Sequence, residues 1–184
     1  MGQPKLLLPW GSGTILEHLI GQWLSVGASQ VAVVVRNNSP FADVVRRGGR
    51  ATCITNPDPD RGMFSSVRCA AEWEDWKPAI THWTISLGDQ PHLRKTTLSE
   101  LIAVVRNDPQ AVWQPSYQGR RRHPVILPGS AFHALRQTGA TDLKNFLESS
   151  SIPRKAVDID DPGLEIDIDT PEDYARAKKL AGVD

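Results

Sequence analysis

The run Val31-Ala32-Val33-Val34-Val35 constrains the fold of this chain more than any other segment. A strand with one wet face alternates apolar and polar residues. This one is apolar throughout and mostly β-branched, the pattern of a strand covered on both faces. Helical and strand patterns alternate on either side of it. Thr14 and Glu17 form a capping box that opens a helix running to about Val26. Helices are expected at 41–47, 64–73, 97–106, 131–136 and 142–147, and strands at 51–54, 111–114 and 124–127. A further strand ends at Leu87, and a last one lies near Ile166-Asp167-Ile168. The final helix is capped by Thr170, with Pro171 at its first position, Glu172 and Asp173 in its first turn, and Lys178 and Lys179 near its end. Such alternation predicts a single three-layer α/β/α domain over residues 1–184 with a mostly parallel sheet.

Composition narrows the function. With 21 basic and 21 acidic residues the net charge is zero, so no broad basic surface for nucleic acid is expected. No apolar stretch approaches the roughly 20 residues of a membrane helix, and Leu6-Leu7-Leu8 is too short for a signal peptide. Cys53 and Cys69 form neither a disulfide framework nor a metal pair and read as buried small apolar residues, consistent with the reducing cytoplasm. Gly11-Ser12-Gly13 is too short for a dinucleotide fingerprint and follows no strand, which argues against a nicotinamide dehydrogenase. Charge is uneven along the chain. Residues 158–173 carry eight carboxylates and no base, whereas Arg120-Arg121-Arg122-His123 is a compact basic run. A solvated charge run accounts for either unless the fold brings it near a site.

Four segments carry the candidate chemistry. Lys5 sits between a loop and an apolar run, either as a surface lysine or as a point charge for phosphates. Gly62-Met63-Phe64-Ser65-Ser66 leads from a loop into a helix, where free N–H groups and hydroxyls suit an anion or ribose, or simply cap the helix. In Trp83 to Pro91 an apolar strand runs into Gly88-Asp89-Gln90-Pro91. Ligands bind beyond the carboxyl ends of such strands, and a carboxylate there either grips a divalent metal or begins a turn. In Asp167-Ile168-Asp169 a strand would put both carboxylates on one face, where they repel unless a cation answers them.

Taken together these segments resemble the MobA-like nucleotidyltransferases, and within them the molybdenum-cofactor cytidylyltransferase group. The matching motifs are Met1-Gly2-Gln3-Pro4-Lys5-Leu6-Leu7-Leu8, Gly62 to Ser66, Gly88 to Pro91, and Asp167 to Asp173, in register over nearly the whole chain. The resemblance implies a Rossmann-like nucleotidyltransferase fold and Mg²⁺-dependent transfer of a nucleotidyl group, most simply from CTP, to a molybdopterin-type acceptor with release of pyrophosphate. It also implies a molybdoenzyme as a possible partner. Lys5 would contact the triphosphate, and Gly62, Met63, Ser65, Ser66 and Gly88 would help hold the nucleotide. Asp89 would bind Mg²⁺ with Asp167 and Asp169, and Arg122, His123 and Pro124 would face the acceptor.

The family's opening strand and most of its glycine-rich loop have no counterpart in residues 1–184. A sheet lacking that central strand is expected to expose a hydrophobic slot with unpaired strand edges. The family's Gly-His-Pro motif stands here as Arg122-His123-Pro124, and Gly139-Ala140-Thr141-Asp142-Leu143 replaces a Gly-Ala-Arg pattern. Both changes bear on the acceptor, so a sugar phosphate is an alternative acceptor; the missing loop makes a non-catalytic module that binds the cofactor an alternative role.

Overall fold

A computed structural model describes residues 4–183; Met1, Gly2 and Gln3 of the opening motif lie outside the described residues. From the amino end, a 3-10 turn (Lys5–Leu7) leads into a two-stranded antiparallel ribbon, β1 (Pro9–Trp10) and β2 (Gly13–Thr14). The capping box then starts α1 (Ile15–Ser25), with the Thr14 side chain accepting from Glu17 N and the Glu17 carboxylate accepting from Thr14 N. Next come β3 (Ala32–Arg36), α2 (Pro40–Gly48), β4 (Thr52–Asn56), α3 (Met63–Glu72), β5 (His82–Ile85) and α4 (Lys95–Val104). The second half holds β6 (Val112–Tyr117), β7 (Arg120–Arg121), β8 (Val125–Pro128), α5 (Gly129–Ala134), α6 (Leu143–Ser149), β9 (Arg154–Asp158) and α7 (Pro171–Ala181).

The layers follow from side-chain alternation. Val125 and Leu127 of β8 pack with Phe64, Val67, Phe132 and Phe146, on the face covered by α3, α5 and α6. Ile126, between them, faces Leu98 and Leu101 of α4 with Trp23 of α1. Period-two geometry thus sends neighbouring residues of one strand into two cores on opposite faces. The three-layer expectation holds.

The sheet itself is mixed, not mostly parallel. β3 and β4 pair in parallel, as do β6 and β9, but β5–β8, β6–β8 and β6–β7 are antiparallel. It also falls into two pieces, β3–β4 and the five-stranded β5-β8-β6-β7 with β9 on β6. Between β3 and β5 lies the expected apolar slot, and here the sequence reading needs amending. Ala32, Val33 and Val34 are only half-buried, because helices cover the faces of β3 while one edge stands open.

Two further expectations are corrected. Residues 166–169 are extended but join no ladder among the described residues; a bond from Ile168 N to the Asp89 carbonyl (3.1 Å) ties them to the sheet edge. Burial still alternates, with Ile166 and Ile168 inside and Asp167 and Asp169 outside, so the shared face of the two carboxylates survives without the strand. The last strand is instead β9, which lies on an edge and is largely charged.

Candidate active site

The open end of β5 gathers the acidic and basic residues. β5 stops at Ile85, and Ser86 and Leu87 carry the chain to Gly88 and Asp89. A Cβ on Gly88 would lie 2.9 Å from a methyl of Leu6, so the glycine lets the Lys5–Leu7 turn pack directly on this backbone. That packing delivers Lys5. Its Nζ donates to Asp169 Oδ1 at 2.9 Å and lies 3.4 Å from Asp89 Oδ2. Burial lowers the Lys5 pKa, but the hydrogen bond to Asp169 and the Asp89 charge outweigh it and leave the ammonium above its ordinary value. Lys5 is thus neither a free surface lysine nor free for phosphate; it bridges two carboxylates.

Asp167 accepts from Gln90 Nε2 at 2.9 Å, and Gln90 is buried. Asp89 Oδ1 is buried with no hydrogen-bond partner among the described residues. An orphaned carboxylate oxygen is costly, and one cation would satisfy it. Among the described residues no three His, Cys, Asp or Glu side chains converge into a ready-made metal cage. The site therefore suits an ion held by one or two carboxylates that takes its remaining ligands from phosphate and water.

His123 sits beside this edge, its Nδ1 3.5 Å from the Ile85 carbonyl. Burial pushes its pKa down, against partial opposition from that backbone contact and the charges of Asp167 and Asp89. Its peptide bond to Pro124 is cis. Arg122 is spent elsewhere. Its guanidinium pairs with Glu165, so the basic run does meet the acidic segment, through this one side chain, while Arg120 and Arg121 stay exposed on β7.

The Gly62–Ser66 loop settles its own alternatives differently from simple capping. Gly62, at φ 87°, is the N-cap of α3 and supplies no side-chain cap. Neither serine caps the helix in its place: Ser65 and Ser66 both accept from Asn56 Nδ2, at 2.8 and 3.0 Å, and Ser65 donates to the Gly62 carbonyl. The first N–H groups of α3 remain without a side-chain acceptor, and Met63 projects with 63% of its surface exposed.

Asn56, at 1% exposure, is one organising residue that the sequence reading passed over. Its signal was a polar residue closing an apolar strand. His92 and His18 are others. His92 Nε2 lies 3.0 Å from Gly163 O and His18 Nε2 3.1 Å from Pro91 O, so together they clamp the loop after Asp89 from two sides. Asp161 is fully buried, accepting from Thr97 Oγ1 at 2.6 Å and from the Arg94 and Gly163 amides. It is a brace, not part of a solvated acidic run.

Comparison with known proteins fits this arrangement. The chain is 28% identical to the molybdenum cofactor cytidylyltransferase of Escherichia coli (strain K12), across 97% of this chain and 89% of the relative. It is 25% identical to the molybdenum cofactor guanylyltransferase of Mesorhizobium japonicum, across 97% and 88%. The fold matches the crystal structure of Rv0371C from Mycobacterium tuberculosis H37Rv in complex with manganese, with a TM-score of 0.72 at 23% identity over 97% of this chain and 93% of that one. Residues 1–155 match the MobA-like NTP transferase domain. The chain belongs to the MobA-like NTP transferase family, and it is a nucleotidyltransferase.

Proposed function

We propose that this chain transfers a cytidylyl group from CTP to a phosphate oxygen of a molybdopterin-type acceptor in the cytoplasm, with Mg²⁺ and release of pyrophosphate. The observation that carries the reading is the orphaned Asp89 Oδ1 beside Lys5 and Asp169 at the end of β5. Mg²⁺, held by Asp89 with Asp167 or Asp169, would neutralise charge on the triphosphate.

The side chains do the rest. Lys5 already spans Asp89 and Asp169, the carboxylates that would hold the metal, so its ammonium would pass to an incoming triphosphate with those carboxylates answered by the ion. The exchange keeps each charge partnered. The Gly62–Ser66 loop presents the start of α3 and the exposed Met63 to the nucleotide, with Ser65 and Ser66 locked by Asn56. Gly88 allows Leu6 to hold the Lys5 turn close. A phosphate monoester loses its second proton near pH 6, so the attacking oxygen is already anionic and needs no strong base. It bonds to the α-phosphorus as the α–β bridging oxygen leaves with pyrophosphate, and alignment does most of the work. His123 and Pro124 border the acceptor side; Arg122 contributes there by fixing that segment through Glu165.

The test is pyrophosphate release with each NTP in turn, against molybdenum cofactor and against a hexose 1-phosphate. CTP with the cofactor is expected to react, and Asp89→Ala to lose at least about a hundredfold in kcat. Turnover with GTP alone would overturn the base assignment. Turnover with the hexose phosphate alone would overturn the acceptor, and pyrophosphate release that Asp89→Ala leaves unchanged would overturn the site.

A further inference from the structure

Lys5 sits on a backbone that cannot carry its ammonium away from Asp89 and Asp169. The turn around it closes through hydrogen bonds from Leu7 N to the Pro4 carbonyl (2.9 Å) and from Leu8 N to the Lys5 carbonyl (3.1 Å). Leu6 packs so closely on Gly88 that a Cβ there would meet its methyl at 2.9 Å. Only the flexible four-carbon stem of Lys5 is left to swing. Its Nζ reaches Asp169 Oδ1 at 2.9 Å and Asp89 Oδ2 at 3.4 Å. Among the described residues no other base pairs with either carboxylate, since Arg122 is held by Glu165 and Arg94 by Asp161. The Lys5 and Asp89 side chains keep only 29% and 27% of their surface exposed, so water and salt screen this contact less than a surface pair.

A tethered cation of this kind competes with any free one. A divalent ion approaching Asp89 and Asp169 either meets the Lys5 charge at the carboxylates or displaces an ammonium whose tether keeps it beside the ion. The tether also holds the competitor at high effective concentration. A polyphosphate alone fares no better, because once Lys5 turns to it the two carboxylates are left unanswered beside its negative charge. Ion and anion together remove both conflicts. Resting on the reading of Asp89 as a metal-holding carboxylate, we propose that Lys5 is a built-in counterion that keeps divalent cations off Asp89 and Asp169 until a polyphosphate chain draws its ammonium away. Cation and nucleotide therefore bind with positive coupling, each raising the affinity for the other by the same factor. The chain holds bare metal poorly and metal-free nucleotide poorly.

Mn²⁺ titrations of the whole chain, read from the paramagnetic resonance signal of the free ion, test this without any reliance on turnover. Lys5→Met removes the charge and keeps an unbranched stem, whereas Lys5→Arg keeps the charge; urea midpoints establish that both variants fold. Lys5→Met should bind Mn²⁺ alone at least about tenfold more tightly than the unaltered chain, and Lys5→Arg as weakly as the unaltered chain. CTP, with its own complex with Mn²⁺ allowed for, should tighten binding at least about tenfold in the unaltered chain and much less in Lys5→Met. Three results would overturn the proposal: Lys5→Met binds Mn²⁺ no more tightly than the unaltered chain, Lys5→Arg binds it as tightly as Lys5→Met, or CTP tightens binding equally in both proteins or in neither. Asp89→Asn separates this proposal from the reading beneath it. If that substitution abolishes the CTP-assisted binding of Mn²⁺, the ion belongs to Asp89 and any failure above falls on Lys5 alone. If CTP-assisted binding survives it, the ion sits elsewhere, and the metal reading and the role of Lys5 fall together.

Discussion

Val33 of β3 and Val125 of β8 are the same residue in the same kind of element, and they differ in burial. Val125 keeps 1% of its surface exposed, Ile126 3% and Leu127 none, whereas Ala32, Val33 and Val34 are all half-open. Both strands have helices over their faces. β8 also has β5 on one edge and β6 on the other, while among the described residues β3 has only β4. Face coverage alone therefore does not make a core. In a three-layer domain the last share of burial comes from in-plane neighbours, which is why apolarity by itself misjudges β3. The active-site edge belongs to the closed block through Asp89, yet it borrows Lys5 from a turn beside the open slot.

Substituting the same residue in the two blocks gives the largest contrast. Val125→Ala removes two fully buried carbon groups and leaves a cavity, a loss of about 2–3 kcal/mol. Val33→Ala removes the same atoms from a half-open site packed on Leu16, Ile20 and Val45, and should cost about 1 kcal/mol. Urea unfolding of both variants measures the difference. Equal losses would mean that β3 is as enclosed in solution as β8, and the comparison would fail.

How much of this could be read beforehand follows the same division between local and long-range causes. Helix starts were legible because their signals are local: Thr14 with Glu17 and Thr170 with Asp173 form complete capping boxes where the pattern placed them. β9 was not. It is an edge strand whose first two residues are Arg154 and Lys155, and its pairing with β6 is set by a partner some forty residues away. The Ile166–Ile168 segment showed strand alternation because two isoleucines are buried there, although no ladder forms. At the site, the carboxylates and Lys5 were nameable from motifs, but their direct bridging was not. Neither was the diversion of Arg122 to Glu165, nor the locking of Ser65 and Ser66 by Asn56, since each depends on side chains distant in sequence.

A smaller effect asks whether α1, one wall of the slot, folds cooperatively with the closed block. α1 buries Ile15, Leu16, Leu19, Ile20 and Trp23, and Trp23 reaches the core that contains Ile126. Thr14→Ala deletes the cap and should lower global stability by about 1 kcal/mol, read as a shifted urea midpoint with unchanged slope. A midpoint that stays put while α1 amides exchange faster would show the open side unfolding on its own, and would widen the contrast between the blocks.

The smallest expected effect is on pH dependence, through the two histidines that clamp the loop after Asp89. Burial is the main cause lowering the pKa of both His92 and His18, opposed in each by a hydrogen bond to a backbone carbonyl and, at His92, also by the charges of Asp161, Asp167 and Asp89. His92 is 2% exposed inside the closed block, whereas His18 is half-buried on α1. A histidine whose folded pKa is depressed contributes its full stability above the unfolded value of about 6.5 and loses it as pH falls toward the folded value. Stability should therefore decline as pH is lowered from about 6.5, because the unfolded chain takes up protons that the native rings refuse. His92→Gln and His18→Gln should each flatten that decline, with glutamine able to keep the bond to Gly163 O or Pro91 O. The readout is the slope of the urea midpoint against pH, which a general loss of stability does not change. His92→Gln should flatten it more, since the closed block desolvates its ring more fully. A larger flattening from His18→Gln would place the tighter environment on the α1 side, and the division between an open and a closed half would have to be redrawn.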